Sequence, residues 1–479
     1  MDSTNTRSYK NKWVILLTVL MVTFMATLDG SIVNVALPVM SDVLNVSSSS
    51  IQLVVTSYLI IISATILVFG RLGDMIGKSK IFIFGIGLFT LGSLLCGITS
   101  SFSFLVLSRV IQAIGAAGTM ANNQGIITEV FPPNERGRAL GINGTFVALG
   151  SLLGPAVGGF ILDAGKWEYI FLINVPIGLI TLLIGIKLLP KTTKTIKEKL
   201  DGVGAVLFAF TIIPLFVALG KGQELGFSNP IILGSFGVSI LAFIKFIEVE
   251  RKQENPLLQL EIFKNKLFSL SIFCAFLSFI AIFCSNIIQP FYLQDVKGFS
   301  PSAAGFVIMT YPLIISIIAP VSGYLSDKFG SEVLTLIGLS LSSLGLLFMS
   351  SLTENSSKTT IVAFTALMAL GNGLFQAPNN SLVMSTVPRD KLGIAGSVNA
   401  LTRNLGMICG IALSTIILYN RMSYKIGYHV TDFVVGRNDV FIYGMRIVYI
   451  TAAVICLGGV ALTSRRLLNK KTKSETVLE

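Results

Sequence analysis

Long apolar runs separated by short polar stretches make up most of the chain. We expect fourteen of these runs to be membrane-crossing helices, because a hydrocarbon core of about 30 Å needs about 20 apolar residues in helical form. Their approximate bounds are 13–38, 51–71, 80–100, 103–127, 138–162, 168–189, 201–220, 229–248, 267–291, 302–324, 332–352, 359–385, 392–419 and 441–464. Since lipid offers no hydrogen bonds to the backbone, this pattern predicts an all-α membrane protein.

The amino-acid composition further limits the class of protein to which the chain can belong. Charged residues make up 13% of the 479 residues and hydrophobic residues 53%, whereas soluble domains carry about 25% charged residues. An ordinary soluble enzyme is therefore excluded, and we expect no catalytic residues, no cofactor and no metal. The five cysteines lie in apolar runs without metal-ligand spacing, and we interpret them as packing residues: Cys96, Cys274, Cys284, Cys409 and Cys456.

The distribution of basic residues predicts the orientation. Loops on the side of the termini hold 25 Lys and Arg residues, and the opposite loops hold eight. By the positive-inside rule, both termini are expected in the cytoplasm. The net charge of +12 is therefore a topology signal, and we expect no nucleic-acid partner.

An internal repeat predicts the domain organisation. GRLGDMIG at 70–77 recurs as GYLSDKFG at 323–330, after the second and the tenth predicted helix. Two six-helix pseudo-symmetric halves with two inserted helices explain this offset, and such repeats are typical of transporters with two rocking halves. The expected segments are an N-terminal tail 1–12, a half 13–189, a linker 190–200, inserted helices 201–248, a linker 249–266, a half 267–465 and a tail 466–479.

Five motifs match the sequence patterns of one known family. The loop pattern G-x-L-a-D-r-x-G-r-k matches at Gly70, Leu72, Asp74, Gly77 and Lys78, and departs at Met75 and Ser79. A second pattern matches at Leu105, Arg109, Gln112, Gly115, Ala116 and Ala117, with Ala113 where glycine is expected. A third pattern, g-x-x-x-G-P-x-x-G-G, is complete at Gly150, Gly154, Pro155, Gly158 and Gly159. The other two motifs are LDGSIVNVALP at 28–38 and WEYIFLINVPIG at 167–178. Together they resemble the major facilitator superfamily, in particular the fourteen-helix drug:proton antiporter subfamily of bacterial multidrug exporters, in which the third is the antiporter pattern.

The resemblance implies a major facilitator fold and proton-coupled efflux of small lipophilic compounds across the bacterial cytoplasmic membrane. Protons and membrane lipid are then the expected partners besides the substrate, and we expect a monomer. The alternatives are a dedicated exporter of one metabolite or antibiotic class, a proton symporter, and a membrane sensor. A sensor would need a soluble output domain, and no loop exceeds about 25 residues.

Asp29 and Arg109 are the candidates for proton coupling. A carboxylate inside a membrane helix is costly and is therefore a functional candidate. Both residues lie about two turns from the outer ends of their predicted helices, which places them at similar depth. We expect them to pair directly or through water; a permanent structural pair is the alternative. The one histidine, His429, falls in an outer loop, so any intramembrane coupling must use carboxylates.

Polar side chains within the apolar runs are candidates for lining the substrate cavity. Interhelical hydrogen bonds are an equally good explanation for any one of them. The candidates are Asn34, Gln52, Tyr58, Asn122, Asn123, Asn143, Asn286, Gln289, Gln376, Asn380 and Arg403. With one deep negative and two deep positive charges, this lining favours neutral, zwitterionic or monocationic lipophilic substrates.

A last group is expected to control the conformational change. Gly150, Gly154 and Gly158 follow at intervals of four, which lets two helices approach closely, and Pro155 favours a bend. Simple small-residue packing is the alternative to a gate. In the loop motif, Asp74 is expected to accept hydrogen bonds from the following helix N-terminus, to meet Arg71 or Arg136, and so to latch the outward-facing state; a plain helix cap is the alternative. The full group is Gly70, Arg71, Asp74, Gly77, Gly150, Gly154, Pro155, Gly158, Gly159 and, as a weaker counterpart, Asp327.

Overall fold

The computed structural model describes residues 11–190, 200–253, 256–387 and 392–475. Most of the expected N-terminal tail and of the linker 190–200 lies outside the described residues, as do the end of the C-terminal tail and the side chains of Arg136 and Asp327. The described chain is helical and contains no strand. Fourteen of its helices are long and apolar enough to cross a membrane, which confirms the predicted all-α fold class.

The helices agree with the predicted runs in number and order. They are α1 (Lys12–Leu44), α2 (Leu53–Ile76), α3 (Lys78–Gly97), α4 (Phe102–Val130), α5 (Pro133–Asp163), α6 (Tyr169–Leu172 continued by Asn174–Leu188), α7 (Gly202–Leu225), α8 (Pro230–Lys252), α9 (Lys266–Phe291), α10 (Pro301–Ile308 continued by Thr310–Phe329), α11 (Ser331–Met349), α12 (Lys358–Ser385), α13 (Leu392–Ile426) and α14 (Asn438–Glu475). A 3₁₀ turn (Leu260–Lys264) precedes α9, and a π-helical turn (Tyr292–Val296) follows it.

Several helices are longer than their apolar runs. The first run was expected to end at Pro38, but α1 continues to Leu44 with Pro38 inside it. Proline is tolerated in membrane helices because neighbouring groups satisfy the carbonyl that it leaves free. The last helix continues past the apolar run into basic residues, since helix formation outside lipid does not require apolar side chains.

The chain divides into two compact units. The first contains residues 1–258 and 300–305, and the second contains residues 259–299 and 306–479. Helices α7 and α8, the predicted insertion, belong to the first unit, where α7 packs against α8 and α2. Phe208 and Phe246 join α7 to α8 with ring centroids 5.3 Å apart. The exact boundaries expected for the two halves and the inserted pair stay a prediction.

The same packing scheme recurs in each unit. In the first, α3 packs on α4 and α1 packs on α5; in the second, α11 packs on α12 and α9 packs on α13. Glycines make each of these contacts close: a Cβ on Gly92 would lie 2.5 Å from the Gln112 nitrogen, and one on Gly345 would lie 2.6 Å from the Met368 nitrogen. An offset of eight helices thus relates the two sets, which supports a six-helix repeat with two helices inserted.

Gly85 and Gly87 of α3 provide a test of this backbone packing. A side chain at Gly85 would lie 2.7 Å from the Gly115 carbonyl oxygen of α4, whereas a Cβ on Gly87 would meet nothing within 4 Å. Gly85→Val should therefore separate α3 from α4 and destabilise the protein by about 1–3 kcal/mol. The midpoint of thermal unfolding in detergent measures this, with Gly87→Val as the control. Equal midpoints for the two variants would contradict the close α3–α4 contact.

Candidate functional site

A buried ion pair lies at the centre of the first unit. Asp29 of α1 is 0% exposed, Arg109 of α4 is 1% exposed, and Arg109 Nη1 lies 2.7 Å from Asp29 Oδ2. The contact that the sequence predicts between these two side chains is therefore present. Removing two charges from water is costly, so such a pair is stable only when its remaining hydrogen-bonding capacity is satisfied as well.

Amide side chains satisfy the second oxygen of Asp29. Gln112 Nε2 of α4 donates to Asp29 Oδ1 over 2.8 Å, and Asn174 Nδ2 of α6 donates to the same oxygen over 3.0 Å. Gln112 also donates to Ser93 Oγ of α3, 2.8 Å away. The carboxylate thus accepts hydrogen bonds from α4 and α6, and its network reaches α3.

The arginine has contacts that do not depend on the carboxylate. Arg109 Nε donates to the Val54 carbonyl oxygen of α2 over 3.0 Å. The guanidinium carbon lies 4.1 Å from the centroid of the Tyr58 ring and 5.5 Å from that of Phe171. Such cation–π contacts are strongest where water is excluded. The positive charge would therefore keep stabilising contacts if Asp29 became neutral.

Protonation of Asp29 would change this network at several points. The neutral carboxyl group would lose its electrostatic attraction to Arg109. A proton on Oδ1 would also place an O–H donor against the amide N–H donors of Gln112 and Asn174, which would have to turn. A single proton would thus loosen α1 from α4 and α6 together.

Sequence reasoning missed part of this site. Gln112 was noted as a motif position without a role, and Asn174 was quoted within WEYIFLINVPIG without being singled out. Tyr58 was expected to line the cavity, and its ring lies against Arg109. A hydrogen-bond donor on another helix can be assigned to a given carboxylate only when the folded arrangement is known. The motif WEYIFLINVPIG was therefore the one signal in the sequence that pointed to Asn174.

Polar candidates in the first unit mostly join helices. Asn122 Nδ2 of α4 donates to the Phe69 carbonyl oxygen of α2 over 3.1 Å. Asn123 Nδ2 of α4 donates to Asn143 Oδ1 of α5 over 3.4 Å, and Thr23 Oγ1 of α1 donates to the same oxygen over 3.0 Å. Gln52 is buried next to the start of α2, and Asn34 is partly exposed on α1. Their cavity role stays a prediction beside the interhelical interpretation.

Candidates in the second unit are more varied. Gln289 Nε2 of α9 donates to Thr365 Oγ1 of α12 over 2.9 Å, and Asn380 Oδ1 accepts from Asn399 Nδ2 over 2.9 Å. Asn286 and Gln376 are partly exposed. Arg403 is also partly exposed, and its Nε is buried without a hydrogen-bond partner among the described residues. Contact of Arg403 with substrate stays a prediction.

The glycines of the antiporter pattern form the face of α5 that packs on α1. A Cβ on Gly150 would lie 2.8 Å from the Phe24 carbonyl oxygen, and one on Gly158 would lie 2.7 Å from Ile32 Cγ1. Gly154 lies against Ser31, whose Oγ donates to the Gly150 carbonyl oxygen over 3.1 Å. These three glycines therefore make a contact inside the first unit.

The last glycine of the pattern has a different neighbour. A Cβ on Gly159 would lie 2.7 Å from the Pro301 carbonyl oxygen, and one on Gly305 would collide with the Pro155 carbonyl oxygen. Residues 300–305 are grouped with the first unit. The pattern thus packs on two segments, α1 and the start of α10, and its gating role stays a prediction.

Lys78 joins the loop motif to α4. Lys78 Nζ lies 3.0 Å from Asp74 Oδ1 and 2.9 Å from Glu129 Oε1 at the end of α4. Lys78 is a partner of Asp74 that the sequence argument did not name. Gly77 separates α2 from α3 with φ at 112°, a conformation that favours glycine. Gly70 has no such constraint, since the nearest atom to a Cβ there is 4.0 Å away.

Comparison with known proteins identifies the family. The family model of the Major Facilitator Superfamily matches residues 19–411 and 271–478. The chain belongs to the Major Facilitator Superfamily. It is therefore a multi-pass membrane transporter, and its fourteen helices fit the fourteen-helix subfamily of this superfamily.

Relatives within the superfamily carry two kinds of name. The riboflavin transporter RibZ of Clostridioides difficile is 35% identical over 95% of this chain and 97% of its own length. Multidrug resistance protein 3 of Bacillus subtilis is 32% identical over 89% of this chain and 83% of its own. The solved structure of the peptide transporter POT in complex with sulfate covers 94% of this chain and 95% of its own at 17% identity, with a TM-score of 0.66.

A double-mutant cycle tests the buried pair of this transporter. Arg109→Gln should destabilise the protein by about 3–5 kcal/mol, because it leaves the Asp29 charge buried without its partner. Asp29→Asn combined with Arg109→Gln should be less destabilising than Arg109→Gln alone. Thermal unfolding in detergent measures each variant. The exposed pair Arg437–Asp439 provides a control, since Arg437→Gln should leave the unfolding midpoint almost unchanged. Additive effects at Asp29 and Arg109 would show that the two side chains do not interact.

Proposed function

We propose that this transporter exports small lipophilic compounds from the bacterial cytoplasm in exchange for protons, by alternating access. The observation that carries the proposal is the fully buried carboxylate of Asp29, held by one arginine and two amides inside a transporter unit. A buried carboxylate is a site where a proton can be taken up and released, and it is the usual position of proton relays in transporters.

Helix α1 supplies the mechanical link in this proposal. One side of α1 carries Asp29, which is bonded to α4 and α6; another side carries Ser31 and Ile32, which pack on the glycines of α5. A proton that loosens α1 from α4 and α6 therefore acts on the helix that lies against the antiporter pattern. Because the α1–α5 contact is made by backbone and small side chains, it favours discrete arrangements rather than gradual deformation.

The free energy that a proton releases on entering the cell is sufficient to shift the equilibrium between two conformational states. A proton entering down a potential of 100 mV releases about 2.3 kcal/mol from the electrical term. That amount shifts a two-state equilibrium by about fifty-fold. Loss of the full attraction in the buried pair would cost about 3–5 kcal/mol, so the contacts of Arg109 with Val54 and Tyr58 matter because they reduce this cost.

The substrates are proposed to be neutral, zwitterionic or monocationic. The deep charges of the described chain are Asp29, Arg109 and Arg403, and the negative one is occupied by Arg109. The similarity to multidrug resistance protein 3 supports a range of lipophilic substrates. The similarity to a riboflavin transporter favours a second candidate, a carrier dedicated to one metabolite such as a flavin.

Transport in inverted membrane vesicles tests the function. With an imposed pH gradient, the wild-type protein should accumulate several unrelated lipophilic dyes and release protons from the vesicle lumen. Asp29→Asn should abolish this proton-driven accumulation, because the amide cannot exchange a proton, while the amount of protein in the membrane stays normal. Asp42→Asn is the matched control on α1, since Asp42 is exposed.

Two outcomes would change the proposal. Undiminished drug/proton exchange by the Asp29→Asn variant would refute coupling through this carboxylate. Accumulation of riboflavin without accumulation of any dye would favour the dedicated carrier over the multidrug exporter.

The gating role of the antiporter pattern needs its own variant. Gly158→Leu should force α1 and α5 apart at Ile32 and lower transport by about ten-fold or more, as expected for an overpacking cost of about 1–3 kcal/mol. Gly144→Leu on the same helix is the control, because a Cβ there meets nothing within 4 Å. Vesicle uptake per inserted protein is the measurement. Normal uptake by Gly158→Leu would refute the gating role.

A further inference from the structure

A pair of buried acidic side chains lies where the first inserted helix begins and the second ends. Asp201 caps α7, and its Oδ1 accepts a hydrogen bond from the Gly204 nitrogen over 2.8 Å. Glu250 lies in the last turn of α8, and its Oε2 accepts from the Leu258 nitrogen over 3.0 Å. The two residues are 2% and 3% exposed. Each carboxyl group thus accepts a hydrogen bond from a backbone N–H with one of its two oxygens.

The other two oxygens lie together without a donor. Asp201 Oδ2 and Glu250 Oε1 are buried and have no hydrogen-bond partner among the described residues. Both lie against Gly204, where a Cβ would collide with Asp201 Oδ2 and lie 2.7 Å from Glu250 Oε1. The two carboxyl groups are therefore neighbours around one glycine. Two acceptors therefore meet in a place that is closed to water.

One proton bound between these two oxygens would supply the missing hydrogen-bond donor. Two ionised carboxylates beside the same glycine would repel each other, and a buried acceptor without a donor is unfavourable. A proton on either oxygen turns the contact into an O–H···O hydrogen bond. A metal ion fits less well, because the described residues contain no group of three His, Cys, Asp or Glu side chains that could hold one.

The surrounding charges do not offer an alternative partner. On α8, Glu248 pairs with Lys245 and Lys252 on the exposed side of the helix, and Arg251 is exposed. On α7, Lys221 lies near the opposite end. Helix α2 carries Arg71 and Asp74 in its last turns, and because the end of α7 contacts the start of α2 at Gly220 and Leu53, these turns lie on the side of α2 where α7 begins. None of these groups donates a hydrogen bond to Asp201 Oδ2 or to Glu250 Oε1.

We propose that Asp201 and Glu250 share one proton at neutral pH and form a proton-binding site separate from Asp29. The shared proton fastens the start of α7 to the end of α8. Through Glu250 Oε2 it also holds Leu258, the last residue of the first unit before the chain enters the second. Loss of the proton would leave two negative charges in contact and release this anchor. The proposal stands independently of the transported substrate.

Infrared spectroscopy of the purified full-length protein at neutral pH tests the shared proton. The wild-type protein should show the carbonyl stretch of a protonated carboxylic acid, and both Asp201→Asn and Glu250→Gln should lose intensity equivalent to one such group. In each variant an amide N–H replaces the proton as donor, so the protein should fold. Glu248→Gln, two residues away on α8, should leave the band unchanged. A band that neither buried variant alters, or its absence from the wild-type protein, would overturn the proposal.

The pH dependence of thermal unfolding gives a second, independent readout. The folded protein would hold a proton that the unfolded chain releases at neutral pH, so the stability from this pair must fall as the pH rises. Glu250→Gln should remove that part of the slope, whereas Glu248→Gln should retain it. Identical slopes for the two variants would count against a shared proton.

Discussion

The structure of the first unit depends on the cost of holding a charge away from water. Asp29 and Arg109 are completely buried, and each is compensated differently: the carboxylate by Arg109, Gln112 and Asn174, the guanidinium by a backbone carbonyl and the Tyr58 ring as well. An ion pair of this kind adds little net stability compared with apolar packing, but removing one partner is costly. It therefore favours those arrangements of α1, α4 and α6 that leave neither charge without a partner.

Close backbone packing explains why a change at that pair can reach other helices. The α1–α5 and α3–α4 contacts have glycines where larger side chains would collide with backbone atoms. Helices in such contact tend to move as rigid elements, because backbone atoms make much of the interface and few side chains can rearrange. Asp29 and the glycine contacts share α1, so the charge and the packing are coupled through one helix rather than through a long chain of residues.

Much of this architecture could be predicted from the sequence, because membrane helices are defined by length and hydropathy and their number follows directly. The contact of Asp29 with Arg109 could also be predicted, since both residues are rare charges at similar depth. Asn174 and Ser93 could not, because amides and hydroxyls are common in membrane helices and their depth does not select one carboxylate. The pairing of Asp201 with Glu250 could not be predicted either, because burial at these helix ends depends on how α7 and α8 pack together.

The two units repeat the same helix packing, but their charged residues differ. Helix α9 packs on α13 as α1 packs on α5, yet residues 266–291 contain no Asp or Glu, and Gln289 bonds a threonine instead. The acidic residue of α1 thus has no counterpart on α9, and the deep charge of the second unit is Arg403 on α13. The two units repeat a backbone arrangement without repeating its polar side chains, so the polar residues of α9 can change in related chains while the contact between Asp29 and Arg109 stays intact.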